Sequence, residues 1–104
     1  MSVEVLAIGS DNLVRLDNLK NASTDAYVNT ATVNFVLKDA DGNVVVGSTP
    51  MPYVSASNGR YEGTIDDTVP LAENGLYTIE ITATDGSTVL FRKIPCIAKF
   101  RSNK

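Results

Sequence analysis

Acidic side chains are the main candidates for chemistry in this 104-residue chain, which has no histidine and a single cysteine. Asp39, Asp41 and Asn43 surround Gly42, and closely spaced oxygen ligands of this kind begin a calcium-binding loop. An EF-hand loop would also need a glutamate further on, but three valines follow at 44–46. The segment therefore predicts a plain hairpin turn with a left-handed glycine, and we expect no metal ion or other cofactor.

Asp66 and Asp67 form a second acidic group. Two carboxylates can act as acid and base in glycoside hydrolysis when they lie on either side of the bond that breaks. Adjacent residues of a strand or turn project apart, so we expect this pair to form a solvated turn. The alternative is an acid hydrolase in which Asp66 or Asp67 works with Glu62 or Glu73, but no histidine or paired geometry supports it. We expect a protein without enzymatic activity.

Cys96 cannot form a disulfide within the chain, because it has no second cysteine to pair with. It alternates with Ile94, Ala98 and Phe100 at period 2, which places it on the apolar side of a strand. No histidine exists to activate a thiol, so the pattern predicts a buried, unreactive cysteine.

The net charge of −3 and the isoelectric point near 4.7 argue against a nucleic-acid partner. Arg92, Lys93 and Lys99 are basic but lack an aromatic platform, so we interpret them as a solvated edge or a protein contact. Residues 1–8 carry an acidic side chain where a secretory signal would be basic. No segment approaches the roughly 18 apolar residues of a membrane helix. The sequence predicts a product that is made soluble in the cytoplasm and has no membrane partner.

Two turn pairs, Asn58-Gly59 and Asn74-Gly75, are each followed by a tyrosine and an alternating strand pattern. A glycine in such a turn supplies a positive φ, so both pairs predict places where the chain re-enters a sheet. Tyr61 and Tyr77 share parity with the apolar positions of their strands, and we expect both rings in the core or at its rim.

Period-2 alternation is clearest at Ala31, Val33, Phe35 and Leu37. Six or seven such segments, with turn signals about every ten residues, predict an immunoglobulin-like antiparallel β-sandwich of about seven strands, with a barrel as the alternative. We expect one sandwich domain over 12–104, and residues 1–11 as an N-terminal arm or a first strand.

Two strands deviate from regular alternation. Pro50 and Pro52 cannot donate to a ladder, so the segment 48–54 is expected at an edge or in a crossing between sheets. In the last strand the apolar parity changes near Lys93, which predicts a bulge or kink next to Pro95.

Turn and core positions form a pattern through most of the chain from Asn12 onward, at 16–19, 26–33, 39–43, 51–54, 59–63, 75–77 and 98–101. This pattern resembles the small immunoglobulin-like virion proteins of tailed bacteriophages. The resemblance implies a noncatalytic structural protein that decorates the capsid or sits at the neck or tail. Its partners would be other phage structural proteins in the virion, which it would bind as a homo-oligomer or multicopy assembly. The family offers no catalytic residue to carry over.

Partner contacts are expected in two places. Val3, Val5 and Leu6 make the N-terminal segment apolar, so it could add a strand to a neighbour's sheet; the alternative is a strand of its own sheet. Tyr27 lies in a polar stretch and Tyr53 lies between prolines, so both are candidates for exposed contacts. If they formed an exposed aromatic strip, the chain would instead be a carbohydrate- or host-surface-binding module of the same fold.

Overall fold

The computed structural model describes residues 4–21, 24–86 and 88–100, with Thr88 described through its backbone alone. Over these ranges the chain forms seven strands and no helix, so nothing in them could cross a membrane as a helix. The strands are β1 Glu4–Ile8, β2 Asn12–Leu16, β3 Thr32–Asp39, β4 Val44–Pro50, β5 Tyr61–Ile65, β6 Leu76–Asp85 and β7 Thr88–Phe100. The predicted all-β class with about seven strands is confirmed.

The strands form a five-stranded sheet of order β1-β7-β6-β3-β4 and a two-stranded sheet of β2 and β5. Every pairing is antiparallel except that of β1 with β7, which is parallel, so the prediction of a wholly antiparallel fold is wrong at this point. After Ile8 the chain turns at Gly9, where φ is +75°, and enters the other sheet. β1 itself stays in the five-stranded sheet, where it pairs with the last strand, β7, and runs in the same direction.

One cluster of buried residues lies between the two sheets. Phe35 and Ile81 face each other across β3 and β6, and both are fully buried, as the alternation predicts. Gly63 of β5 lies directly over Phe35, because a Cβ atom there would be 3.0 Å from the ring and 3.1 Å from Cγ of Met51. The two-stranded sheet therefore packs on the centre of the five-stranded sheet, over β3 and β6.

Both tyrosines of the Asn-Gly pairs are in the core, as predicted. The Tyr61 hydroxyl donates to the Val28 carbonyl at 2.7 Å and accepts from the Ala31 amide at 3.1 Å. The Tyr77 hydroxyl accepts from the Ala72 amide at 2.8 Å. Each ring thus fills the core while its oxygen satisfies the backbone of a loop.

The two Asn-Gly turns place the positive φ at different residues. Gly59 has a φ of +69°, and a Cβ there would meet the Leu19 backbone nitrogen at 2.5 Å, so both conformation and space require glycine. In the second turn it is Asn74 that takes the positive φ, at 63°, and not Gly75 as predicted. Asparagine tolerates this conformation better than most residues.

The register is irregular at a different place from the one predicted. β7 pairs with β6 over ten positions without a register shift, so a bulge next to Pro95 is wrong, while the alternative of a kink there stays a prediction. The register shifts occur instead between β3 and β4, at Phe35 and Leu37. β4 is an edge strand that ends at Pro50, which confirms the edge predicted from the prolines.

Candidate functional site

The outer side of the five-stranded sheet, which faces away from β2 and β5, carries apolar side chains across three adjacent strands. Val5 of β1 and Leu76 of β6 both lie opposite Ile97 of β7, and cross-strand partners share one side of a sheet. Val5 is 63% exposed and Leu76 is 59% exposed, with half-buried Ile97 between them. We call these three residues the apolar row.

A second apolar group occupies the other end of β7 on the same side. Val89 and Phe91 are both more than half exposed. Charged side chains separate this group from the apolar row: Lys93 lies opposite Glu80, which pairs with Lys38 at 3.1 Å. The Lys93 ammonium lies 5.9 Å from the centre of the Phe91 ring, a cation–π contact.

The neighbouring strand β6 shows what a solvated side normally looks like. Its outward residues after Leu76 are Thr78, Glu80, Thr82 and Thr84, all polar, and this is the pattern of an antiparallel strand with one wet side. β7 instead carries several apolar residues towards each side. Exposed apolar clusters on a rigid sheet are typical of protein-binding surfaces. What this surface can do chemically is bind another apolar surface.

The residues predicted as contacts in the N-terminal segment have different environments. Val5 belongs to the apolar row. Leu6 is only 4% exposed and lies opposite buried Ala98, so it is a core residue and does not form a surface contact. β1 pairs with β7 of its own chain. Val3 lies outside the described residues.

Tyr27 is 42% exposed, with the Lys20 ammonium 4.9 Å above its ring. It borders a depression of about 470 Å³ whose other lining comes from polar loops at 17–18 and 54–58 and from Arg60. In this lining the Arg60 Nε atom donates to Asp17 Oδ1 at 2.7 Å. The depression thus combines one accessible aromatic ring with several hydrogen-bonding groups.

Tyr53 is half-buried and has a structural role in this region. Its ring packs edge-on against Tyr61, with the ring centres 5.7 Å apart, and its hydroxyl donates to the Ser57 carbonyl. It therefore anchors the 54–58 loop that lines the depression. The lining itself contains Tyr27 and not Tyr53.

The acidic pair Asp66 and Asp67 is closer than the sequence predicts. Carboxylate oxygens of Asp11, Asp66 and Asp67 all lie within 4.8 Å of one another, so the expectation that the pair projects apart is wrong. The turn after β5 is held by Asp66, whose Oδ1 accepts from the Thr68 amide at 3.0 Å, and by Asp11, whose Oδ1 accepts from the Asp67 amide at 2.9 Å. Asp11 is brought here by the pairing of Asn12 with Ile65.

Hydrogen bonding shifts the pKa values of Asp66 and Asp67 in opposite directions. The Thr68 amide, followed by the Asp67 side chain, lowers the pKa of Asp66. The hydrogen bond to Asp66 raises the pKa of Asp67, and the negative charge of Asp11 adds to this. All three carboxylates are exposed, and their bonds close the turn.

Two further sequence predictions concern local structure. The Asp39 carboxylate accepts from the amides of Asp41 and Asn43, both at 2.9 Å, and Gly42 has a φ of +85°. This confirms the hairpin. Cys96 is 1% exposed, which confirms its predicted burial, and this burial raises the pKa of its thiol to about 11.

Comparisons with family models, with curated proteins and with solved structures give no match to this chain.

Proposed function

We propose that this chain is a noncatalytic structural protein of a tailed-bacteriophage particle. In this proposal it binds capsid, neck or tail proteins in many copies through the outer side of its five-stranded sheet. The observation that carries the proposal is the apolar row of Val5, Ile97 and Leu76, which lies on three hydrogen-bonded strands and is covered by none of the described residues. The resemblance of the sequence pattern to phage virion proteins suggests the class of partner.

An immunoglobulin-like sandwich is the finer fold that we propose. The order β7-β6-β3-β4 corresponds to the G-F-C-C′ order of variable-type domains, and the β2-β5 pair corresponds to strands B and E. The parallel edge pairing of β1 with β7 is compatible with this assignment. These correspondences support the same family of folds that the sequence pattern resembles.

The size of the apolar row favours a multicopy role. Burying one large aliphatic side chain completely contributes about 1.5–3 kcal/mol, while association itself opposes binding by several kcal/mol. Three partly exposed side chains therefore support weak binding of a single copy. In a particle, many copies that bind one shell at once convert weak contacts into stable attachment.

Quantitative mass spectrometry of purified particles tests the proposal. We expect the chain in every particle preparation at many copies, and particles without it would disprove a virion role. Leu76→Asp places a charge in the apolar row and is expected to reduce the copy number at least several-fold. Thr64→Asp, on the exposed side of the two-stranded sheet, is the matched control and leaves the copy number unchanged.

A second candidate function rests on the depression beside Tyr27. A half-exposed aromatic ring next to the Asp17–Arg60 pair offers stacking and hydrogen bonding to a sugar. Glycan-array binding that is lost with Tyr27→Ala and kept with Tyr27→Phe would support this function. An array without any binding would reject this function. Tyr53→Ala does not decide the question, because Tyr53 acts only by anchoring the 54–58 loop.

A further inference from the structure

A groove separates the free edge of β2 from β1. One wall is β1 at residues 4–6, the other is β2 at residues 12–15 with Asp17 after it, and the floor contains Ile79, Arg92 and Ile94. The groove has a volume of about 560 Å³. A two-stranded sheet covers only part of a five-stranded one, and the inner side of β7 is more open at Arg92 and Ile94 than β6 is beside them.

Burial along the two strands marks this difference. On the inner side of β6, Ile79, Ile81 and Ala83 are at most 4% exposed. Their neighbours on β7 are more open: Ile94 is half-buried, and Arg92, opposite Ile81, is exposed. A cation thus occupies an inward-facing position on β7, whose other described inward side chains are apolar.

The backbone edges of β1 and β2 also face the groove. The Asn12 side chain closes one end, where its Oδ1 accepts from the Ala7 amide at 2.8 Å and its Nδ2 donates to the Ala7 carbonyl at 3.0 Å. The Ala7 backbone therefore points away from β7, and with period 2 so does that of Val5. On the opposite wall, β2 pairs on one side only, with β5. Unpaired strand edges of this kind accept an added strand.

We propose that this groove binds one extended segment of another protein, which adds a strand to β2 and covers the inner side of β7. A second copy that paired through its own β2 would bring its five-stranded sheet up against β1 and β7 of the first copy. A lone strand has no second layer and can enter.

Charge specifies the segment. Glu4 lies opposite Cys96, and Arg92 lies four residues before Cys96, so their levels along the groove differ by about 13 Å. Within the described residues neither side chain forms an ion pair. The other two charged residues of the lining are already paired, Arg15 with Glu62 and Asp17 with Arg60. An added strand would then place a basic residue near Glu4, an apolar residue over Ile94 and an acidic residue near Arg92, at alternate positions.

Residues 1–3 and 101–104 contain neither aspartate nor glutamate, so these residues offer no acidic side chain for Arg92. The proposal names a segment of a different protein in which a basic, an apolar and an acidic residue alternate with residues of any type. It goes beyond the proposed function and holds or fails independently of the outer-side surface.

The test uses the full chain and the labelled peptide Thr-Lys-Thr-Val-Thr-Glu-Thr, titrated by fluorescence anisotropy at low salt. We expect saturable binding below about 1 mM, with Arg92→Glu weakening it about tenfold. A peptide with lysine in both charged positions should bind Arg92→Glu better than it binds the original chain. Lys93→Glu makes the same charge change on the outer side of β7 and should leave binding unchanged.

Amide hydrogen exchange supplies the second readout, because an added strand protects backbone amides of β2 and a surface ion contact does not. Protection of residues 13–16 on peptide binding supports the proposal. Absence of binding at about 1 mM, equal binding by Arg92→Glu, or binding without this protection would each overturn it. Self-association in sedimentation that Arg92→Glu abolishes would assign the groove to a second copy and reject the proposal.

Discussion

The two sides of the five-stranded sheet are both rich in apolar side chains, but only the inner one is covered within the chain. Inside, Phe35 and Ile81 pack under the two-stranded sheet and are fully buried. Outside, Val5, Leu76 and Phe91 are each more than half exposed. The comparison separates two uses of the same residue types: covered apolar surface stabilises the fold, and uncovered apolar surface is available for association.

The largest effect is expected for Phe35→Ala on the inner side. Phe35 contacts the two-stranded sheet at Gly63 and is completely buried, so removing its ring leaves a cavity between the layers. We expect the free energy of unfolding to fall by about 3–5 kcal/mol, measured by urea denaturation. A loss below 1 kcal/mol would mean that the two layers do not pack on this ring.

A smaller effect is expected when the same contact becomes too tight. Gly63→Ala adds a Cβ 3.0 Å from the Phe35 ring and 3.1 Å from Met51, and both of these side chains are buried. The free energy of unfolding should fall by about 1–3 kcal/mol. Gly47→Ala is the control, because no atom lies within 4 Å of a Cβ at that position. Combining Gly63→Ala with Phe35→Leu should recover part of the loss.

On the outer side the expected effect on folding is near zero. Leu76→Ser and Phe91→Ser remove exposed apolar surface, so the free energy of unfolding should change by no more than about 0.5 kcal/mol. Their association with purified particles should decrease instead, which co-sedimentation measures. If either variant unfolded as readily as Phe35→Ala, the outer side would belong to the core and the comparison would fail.

The smallest effect concerns charge at the turn after β5, away from both sides of the sheet. Carbon-13 NMR should show Asp66 titrating at lower pH and Asp67 at higher pH than an ordinary aspartate. Asp66 then adds stability that is lost as pH falls through its folded pKa. Asp67 adds stability only at low pH and loses it as pH rises through its raised pKa.

Asp11→Asn sharpens this prediction, because it removes the charge while the amide oxygen can still accept from the Asp67 amide. The pKa of Asp67 should fall, whereas Asp41→Asn in the distant hairpin should leave it unchanged. An unchanged Asp67 titration in Asp11→Asn would exclude the electrostatic contribution of Asp11.

Sequence patterns predicted correctly which residues are buried in the strands that have one side exposed to solvent. In β3 and β6 apolar and polar residues alternate, so their buried positions, both core tyrosines and the 39–43 hairpin could be read directly. β7 carries apolar residues on both sides, and it was the outward Val89 and Phe91 that made the apolar parity change near Lys93 and so predicted a bulge that the register does not contain. The parallel pairing of β1 and the approach of Asp11 to Asp66 depend on contacts between distant segments, which local alternation does not encode.

The side-by-side pairing of the first and last strands also determines how the fold bears a mechanical load. Glu4 lies opposite Cys96 and Ile8 opposite Phe100, so a pull on the chain before Glu4 and after Phe100 acts along both strands in opposite directions. Hydrogen bonds that run across the strands are then loaded together in shear, and are not opened one at a time as in a hairpin pulled apart from its open end. Tension applied through these two ends should meet its main resistance at the β1–β7 junction.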